Sequence, residues 1–151
     1  YRAAMDCLVE AAEKMQIAND PFKGKVALLL GAGGVTRAIG YGLVRRGAKV
    51  VIASRTEDRA RILADSIGAK AVAWSSRYEL DANIIINGSP VGMFPDVDTT
   101  PYDGKKLKEG QLVFDTVYNP EQTMLIKAAR GTGCHVITGL QMFISQAAYQ
   151  Y

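Results

Sequence analysis

Histidine and cysteine are almost missing from this sequence: one histidine, His135, and two cysteines, Cys7 and Cys134, among 151 residues. Neither count nor spacing suits a disulfide framework or a metal-ligand set, so a zinc site and a stapled secreted scaffold are excluded. No run of about 18 apolar residues is present, which leaves no membrane-spanning helix, and no charged, apolar, small-residue opening reads as a signal peptide. A long basic run is lacking as well. The 18 lysines and arginines exceed the 15 aspartates and glutamates by only three, too slight an excess to predict nucleic-acid binding. These absences set the expectation of a cytoplasmic protein with no membrane, nucleic-acid or metal partner. What is present, 48% hydrophobic and 22% charged positions, is the balance of one ordinary globular domain with one sizeable core. The chain opens at Tyr1 without an initiator methionine and closes at Tyr151 inside a helical pattern, so it is expected to be cut from a longer protein.

Apolar spacing orders the elements. Met5, Leu8, Val9, Ala12 and Met15 predict a helix from Arg2 to Ile17, followed by turn chemistry from Asn19 to Gly24. Lys25 to Leu30 is an almost wholly apolar run bounded by glycines, the pattern of a strand covered on both faces. A helix from Val35 to Arg46 ends before Gly47, and the unit repeats: strand Lys49 to Ala53, helix Thr56 to Ile67 with Gly68 behind it, strand Ala71 to Ala73. Further strands are predicted at Asn83 to Asn87, Leu112 to Asp115 and His135 to Ile137, with helices from Thr123 to Arg130 and from Leu140 onward. Six apolar strands alternating with helices imply an α/β, doubly wound parallel (Rossmann) sheet with helices on both faces. The Pro-, Asp-, Thr- and Gly-rich stretch from Gly88 to Gly110 reads as a long functional loop.

Gly31-Ala32-Gly33-Gly34-Val35-Thr36 lies between a predicted strand and a predicted helix, the context in which a glycine loop receives a pyrophosphate on backbone amides. The third glycine of the G-x-G-x-x-G fingerprint is replaced by Thr36. At the end of the second strand, where an NAD-binding domain carries a carboxylate for the ribose 2′-hydroxyl, stands Ser54-Arg55-Thr56. A guanidinium in place of that carboxylate suits a 2′-phosphate, so NADP is the expected cofactor. Arg59, one turn further on, is within reach of the same phosphate, whereas Arg61 points elsewhere by helical geometry. Asn87 and Ser89 are expected either to brace the loop carrying Gly92 through side-chain to backbone bonds or to contact the cofactor. His135 and Trp74 read as structural and packing residues.

These residues resemble a known family. Lys25-Val26-Ala27-Leu28-Leu29-Leu30-Gly31-Ala32-Gly33-Gly34 with Arg37-Ala38, Ser54-Arg55-Thr56 with Arg59-Ala60, Asn87-Gly88-Ser89-Pro90-Val91-Gly92-Met93, Asp115-Thr116-Val117-Tyr118-Asn119-Pro120 with Thr123, and Gly139-Leu140-Gln141-Met142 with Gln146-Ala147 are similar, in order, to the nucleotide-binding domain of shikimate dehydrogenases. Val97 to Pro101 and Met142 to Ile144 resemble the dehydrogenase half of plant-type proteins fused to a dehydroquinate dehydratase. The resemblance implies reduction of 3-dehydroshikimate to shikimate with NADPH. It further implies that Gly31 through Val35 hold the pyrophosphate, Ser54 through Arg59 the 2′-phosphate, Thr116 and Gly139 the nicotinamide, and Tyr118 and Gln146 the substrate. The family commonly has Asn where this chain has Ser54. Its catalytic lysine and aspartate belong to a substrate domain that would precede Tyr1, so no catalytic residue is expected in residues 1–151. The alternatives are a related quinate or aminoshikimate dehydrogenase, the similar domain of glutamyl-tRNA reductase, or a nucleotide-binding module without catalysis.

Overall fold

The computed structural model describes residues 2–15 and 21–149. The elements run α1 (Arg2–Lys14), β1 (Val26–Leu30), α2 (Gly34–Arg45), β2 (Lys49–Ala53), α3 (Glu57–Ile67), β3 (Lys70–Val72), β4 (Ile84–Asn87), β5 (Leu112–Asp115), α4 (Met124–Thr132), β6 (His135–Ile137) and α5 (Gly139–Ala148). All six strands pair in parallel, in the order β3-β2-β1-β4-β5-β6. The doubly wound sheet is therefore the fold. The expected continuation of the first helix to Ile17, and the Asn19-Asp20 part of the turn behind it, lie outside the described residues.

Alternation along each strand splits the core in two. Ala27 and Leu29 enter one cluster with Leu8 of α1, Leu43 of α2 and Leu63 of α3, while Leu28 and Leu30 enter the other with Leu125 and Ala129 of α4. Leu28, Leu29 and Leu30 are all fully buried, which requires cover on both faces. Crossover handedness explains the division. From β1 to β3 the chain winds one way across the sheet. After β3 it reverses, and right-handed crossovers then put every later connection on the opposite face. The cover there differs from expectation: one helix, α4, is joined by loop residues Tyr102 and Leu107 and by a short 3-10 helix, Trp74–Glu79. That six-residue crossover is too short to show helical periodicity, so the sequence does not betray it. The other face carries α1, α2 and α3, with Met142 of α5 packed against the same core.

Local chemistry sets the helix ends. Thr123 caps α4 by accepting from the Ile126 amide at 3.2 Å, and Thr138 and Gln141 form a reciprocal capping box at the start of α5. The α2 and α3 starts have no side-chain cap, although Thr56 stands at the cap position of α3.

Candidate functional site

Because every strand is parallel, β1, β2, β4, β5 and β6 all deliver their carboxyl ends to one edge, at Gly31, Ser54, Gly88, Thr116 and Thr138. The winding reverses between β1 and β4, and a crevice opens there. Gly31 sits at its floor with φ +100°, and a Cβ on it would come within 3.0 Å of the Ser89 amide nitrogen. Its glycine identity thus serves the contact between two loops. Gly33 and Gly34 differ: both are exposed, and nothing lies within 4 Å of where a Cβ would point. With Ala32 half-buried and Val35 exposed, they form an open cradle of backbone at the uncapped start of α2. Unsatisfied amides and the positive end of the helix dipole meet there, so the cradle suits a phosphate.

The missing third glycine of the loop is replaced by a contact from another strand. Thr36, in the first turn of α2, is fully buried, and its hydroxyl has no hydrogen-bond partner. It occupies the space that a side chain on Gly88 would need. The small residue that lets helix and sheet approach has moved from α2 to the end of β4.

At the end of β2, Ser54 is buried and its Oγ accepts from the Thr56 amide at 3.2 Å, shaping the turn. Arg55, Thr56 and Arg59 are exposed. The two arginines do not share a groove. Arg59 lines an opening of about 330 Å³ between α2 and α3 with Gly33, Gly34 and Arg37, whereas Arg55 lines one of about 300 Å³ against the Pro90–Asp96 loop and Thr99. Among the described residues neither forms an ion pair, while Arg61 is held by Asp58 at 3.0 Å. Arg37 donates to Ser66 Oγ at 3.2 Å across the α2–α3 groove. In the sequence Arg37 enters only as part of the first family motif, with no role attached to it.

Asn87 and Asp115 stand side by side on β4 and β5. Asp115 Oδ1 accepts from Asn87 Nδ2 at 3.1 Å and from the Val117 amide at 3.0 Å, and Oδ2 accepts from the Thr123 hydroxyl at 2.7 Å. Asn87 Oδ1 in turn accepts from the Ser89 amide and hydroxyl, and its Nδ2 donates to the Val91 carbonyl. This network ties both loops at the crevice to one buried carboxylate, as expected of Asn87 and Ser89; Asp115 is the member the sequence did not single out.

Burial pushes the Asp115 carboxyl above its ordinary value of 3.8, and the three donors only partly oppose it. An acid raised by folding stabilises the native state below its unfolded value and loses that contribution as pH rises through its native value. Asp115→Asn is therefore expected to cost about 1–3 kcal/mol through mismatched donors and to abolish that loss of stability above pH 3.8. Thermal midpoints measured across the acid range check this; a variant whose midpoint falls with rising pH as steeply as the parent's contradicts it.

Thr116 is half-buried and spends its hydroxyl on the Asn87 carbonyl at 2.8 Å. Gly139 is buried where any side chain would run into the Val117 and Thr116 carbonyls, which docks the start of α5 on the end of β5. Tyr118, 54% exposed, stacks on Phe143 of α5 with ring centroids 5.1 Å apart. Phe143 and Gln146 are three residues apart on one helix face, so the stack brings Tyr118 to the face bearing the exposed Gln146. The glycine loop, the Ser54-Arg55-Thr56 turn, the bracing carboxylate and the Tyr118–α5 face thus share one edge of the sheet. Among the described residues no helix is long and apolar enough to cross a membrane.

Comparison with known proteins places this arrangement. A family model described as NADP oxidoreductase, coenzyme F420-dependent, matches residues 25–119. A shikimate dehydrogenase (NADP(+)) from Oleidesulfovibrio alaskensis is 40% identical over 129 residues, covering 83% of this chain and 46% of that protein. A chloroplastic bifunctional 3-dehydroquinate dehydratase/shikimate dehydrogenase from Arabidopsis thaliana is 39% identical over 136 residues, covering 88% of this chain and 23% of that one. Among solved structures, the Thermus thermophilus shikimate 5-dehydrogenase in complex with NADP(H) and shikimate superposes with a TM-score of 0.78 at 33% identity, over 95% of this chain and 52% of that one. A Corynebacterium glutamicum quinate dehydrogenase in complex with NAD gives 0.75 at 32%, over 93% and 53%. The chain spans about half the length of most of these relatives, and less of the bifunctional plant protein.

Proposed function

Because the chain belongs to the family described as NADP oxidoreductase, coenzyme F420-dependent, and is homologous to the NADP-binding part of shikimate dehydrogenases, we propose that it is the NADP-binding half of a shikimate dehydrogenase. The observation that carries the reading is Arg55, a guanidinium without an ion-pair partner among the described residues, at the end of β2 and on the same edge of the sheet as the open glycine cradle. Gly31 through Val35 receive the pyrophosphate, Ser54, Arg55 and Thr56 the 2′-phosphate, and Arg59 lines the α2–α3 groove on the side of the glycine cradle. Thr116 and Gly139 form the wall at the end of β5 where the nicotinamide rests, and Tyr118 and Gln146 face the substrate. When bound, NADPH supplies the hydride for the carbonyl of 3-dehydroshikimate. This chain's residues orient the cofactor and shield one side of the cleft. The proton donor, and the rest of the substrate's seat, belong to a second domain that we place before Tyr1, and a cytoplasmic workplace goes with this reading. The likeness to an NAD-bound quinate dehydrogenase supports a second reading, an NAD-dependent quinate dehydrogenase, which Arg55 disfavours because a guanidinium gains much less from a bare 2′-hydroxyl than from a charged phosphate.

The chain alone is expected to bind NADPH more tightly than NADH and to turn over no shikimate. The same chain joined to its upstream half is expected to form NADPH from shikimate and NADP. Calorimetric titration and an absorbance assay test both parts. Equal affinity for the two cofactors, or turnover by the chain alone, overturns the reading.

A further inference from the structure

Trp74 is the only tryptophan of the chain; as expected it packs against the core, and its ring carries further contacts. It opens the 3-10 helix that carries the chain from β3 towards β4 and is only half-buried. Two guanidinium groups lie over its indole ring, Arg77 at 4.0 Å from the centroid and Arg55 at 5.7 Å. Arg77 is held firmly: it donates to the Trp74 carbonyl at 2.7 Å, to the Pro101 carbonyl at 3.0 Å and to the Tyr78 hydroxyl at 3.0 Å. All three acceptors are neutral, and among the described residues neither arginine has a carboxylate partner.

We infer that Trp74, fixed by Arg77, is a positioning residue that presents Arg55 to the ribose 2′-phosphate and so sets the preference for NADP over NAD; the inference rests on the NADP reading above. A guanidinium attracted to the face of an aromatic ring spends none of its N–H donors on a competing acceptor, so they stay available to grip a phosphate while the indole holds the cation in place. An exposed arginine loses rotamer freedom when it grips a phosphate, and the platform restricts that freedom before the ligand arrives. Two cations brought to one ring also repel each other unless an anion joins them. The 2′-phosphate is the anion that distinguishes the two cofactors, so the effect falls on NADPH alone.

The experiment titrates NADPH and NADH into the chain and into Trp74→Ala. The expected result is a roughly fivefold loss of the NADPH preference, with NADH affinity within about twofold of the parent's. An equal loss for both cofactors means a structural role and overturns the inference. A parent without NADPH preference instead overturns the NADP reading itself, whereas a parent with the preference and an unchanged ratio in Trp74→Ala overturns only the role of Trp74. A second measurement needs no variant at position 74. Adenosine 2′,5′-bisphosphate is expected to change Trp74 fluorescence in the parent by shifting the cation over its ring, and to change it much less in Arg55→Ala. An emission unaltered at saturating bisphosphate, or altered equally in Arg55→Ala, overturns the inference.

Discussion

Arg55→Ala is expected to weaken NADPH binding by roughly 10- to 100-fold while leaving NADH within about threefold, as loss of a charge-assisted contact worth about 1.5–3 kcal/mol requires. The direction follows from the surroundings of Arg55. It is exposed and makes no ion pair among the described residues, so its removal leaves no buried charge unpaired and the fold is undisturbed. Its charge is directed at the opening beside the Pro90–Asp96 loop. Arg59 faces the other groove and Arg61 is occupied by Asp58, so neither is placed to replace it. Arg59→Ala is accordingly expected to be the milder change, and Arg61→Ala to be neutral, since an exposed i,i+3 pair contributes about 0.5 kcal/mol or less. Paired titrations of the three variants check the order; Arg59→Ala proving the stronger for NADPH would move the 2′-phosphate into the α2–α3 groove.

The second large effect is on stability. Gly88→Ala is expected to destabilise the chain by about 1–3 kcal/mol through overpacking. Gly88 does not have a positive φ, so the backbone accepts alanine and the cost is steric: the new methyl meets the buried Thr36 side chain. Thr36→Ala is expected to cost little by itself, because the hydroxyl it removes has no partner. The two changes together are expected to recover at least half of the Gly88→Ala loss, since alanine at 36 leaves contacts of 3.3 Å to its Cβ and 3.4 Å to its backbone nitrogen, to be relieved by a small shift. Denaturant unfolding of the two single variants and the double variant completes the cycle. Costs that add to within about 0.5 kcal/mol would show that the residues do not act as a pair.

Strand positions were legible wherever short apolar runs end in glycine or a polar turn. Lys49–Ala53, Leu112–Asp115 and His135–Ile137 stand where the pattern puts them. Helix ends shift by a residue or two because cap residues such as Thr56 and Thr123 lie outside the helices they start. The Trp74–Glu79 crossover was not legible, and with it went the role of Trp74: nothing in the local spacing shows that this ring lies beneath a guanidinium some twenty positions earlier in the chain. The place of Arg55 at the end of β2 was legible because an arginine in place of a carboxylate is a change of charge at a known point of the fold. The separation of Arg55 from Arg59 was not, because it depends on which side of the α3 start each side chain leaves.

The residues alone determine that this chain builds a parallel α/β sheet, that its first crossover opens on glycines, and that a cation ends its second strand. Period, propensity and charge are local properties, readable within a few residues. Only the tertiary structure decides that Thr36 fills the space vacated by Gly88, that Asn87 and Asp115, 28 residues apart, close one network, and that Arg77 braces the ring beneath Arg55. Those contacts exist only after β1 has paired with β4, β4 with β5 and β2 with β3, because strand pairing brings distant positions within hydrogen-bonding or packing distance.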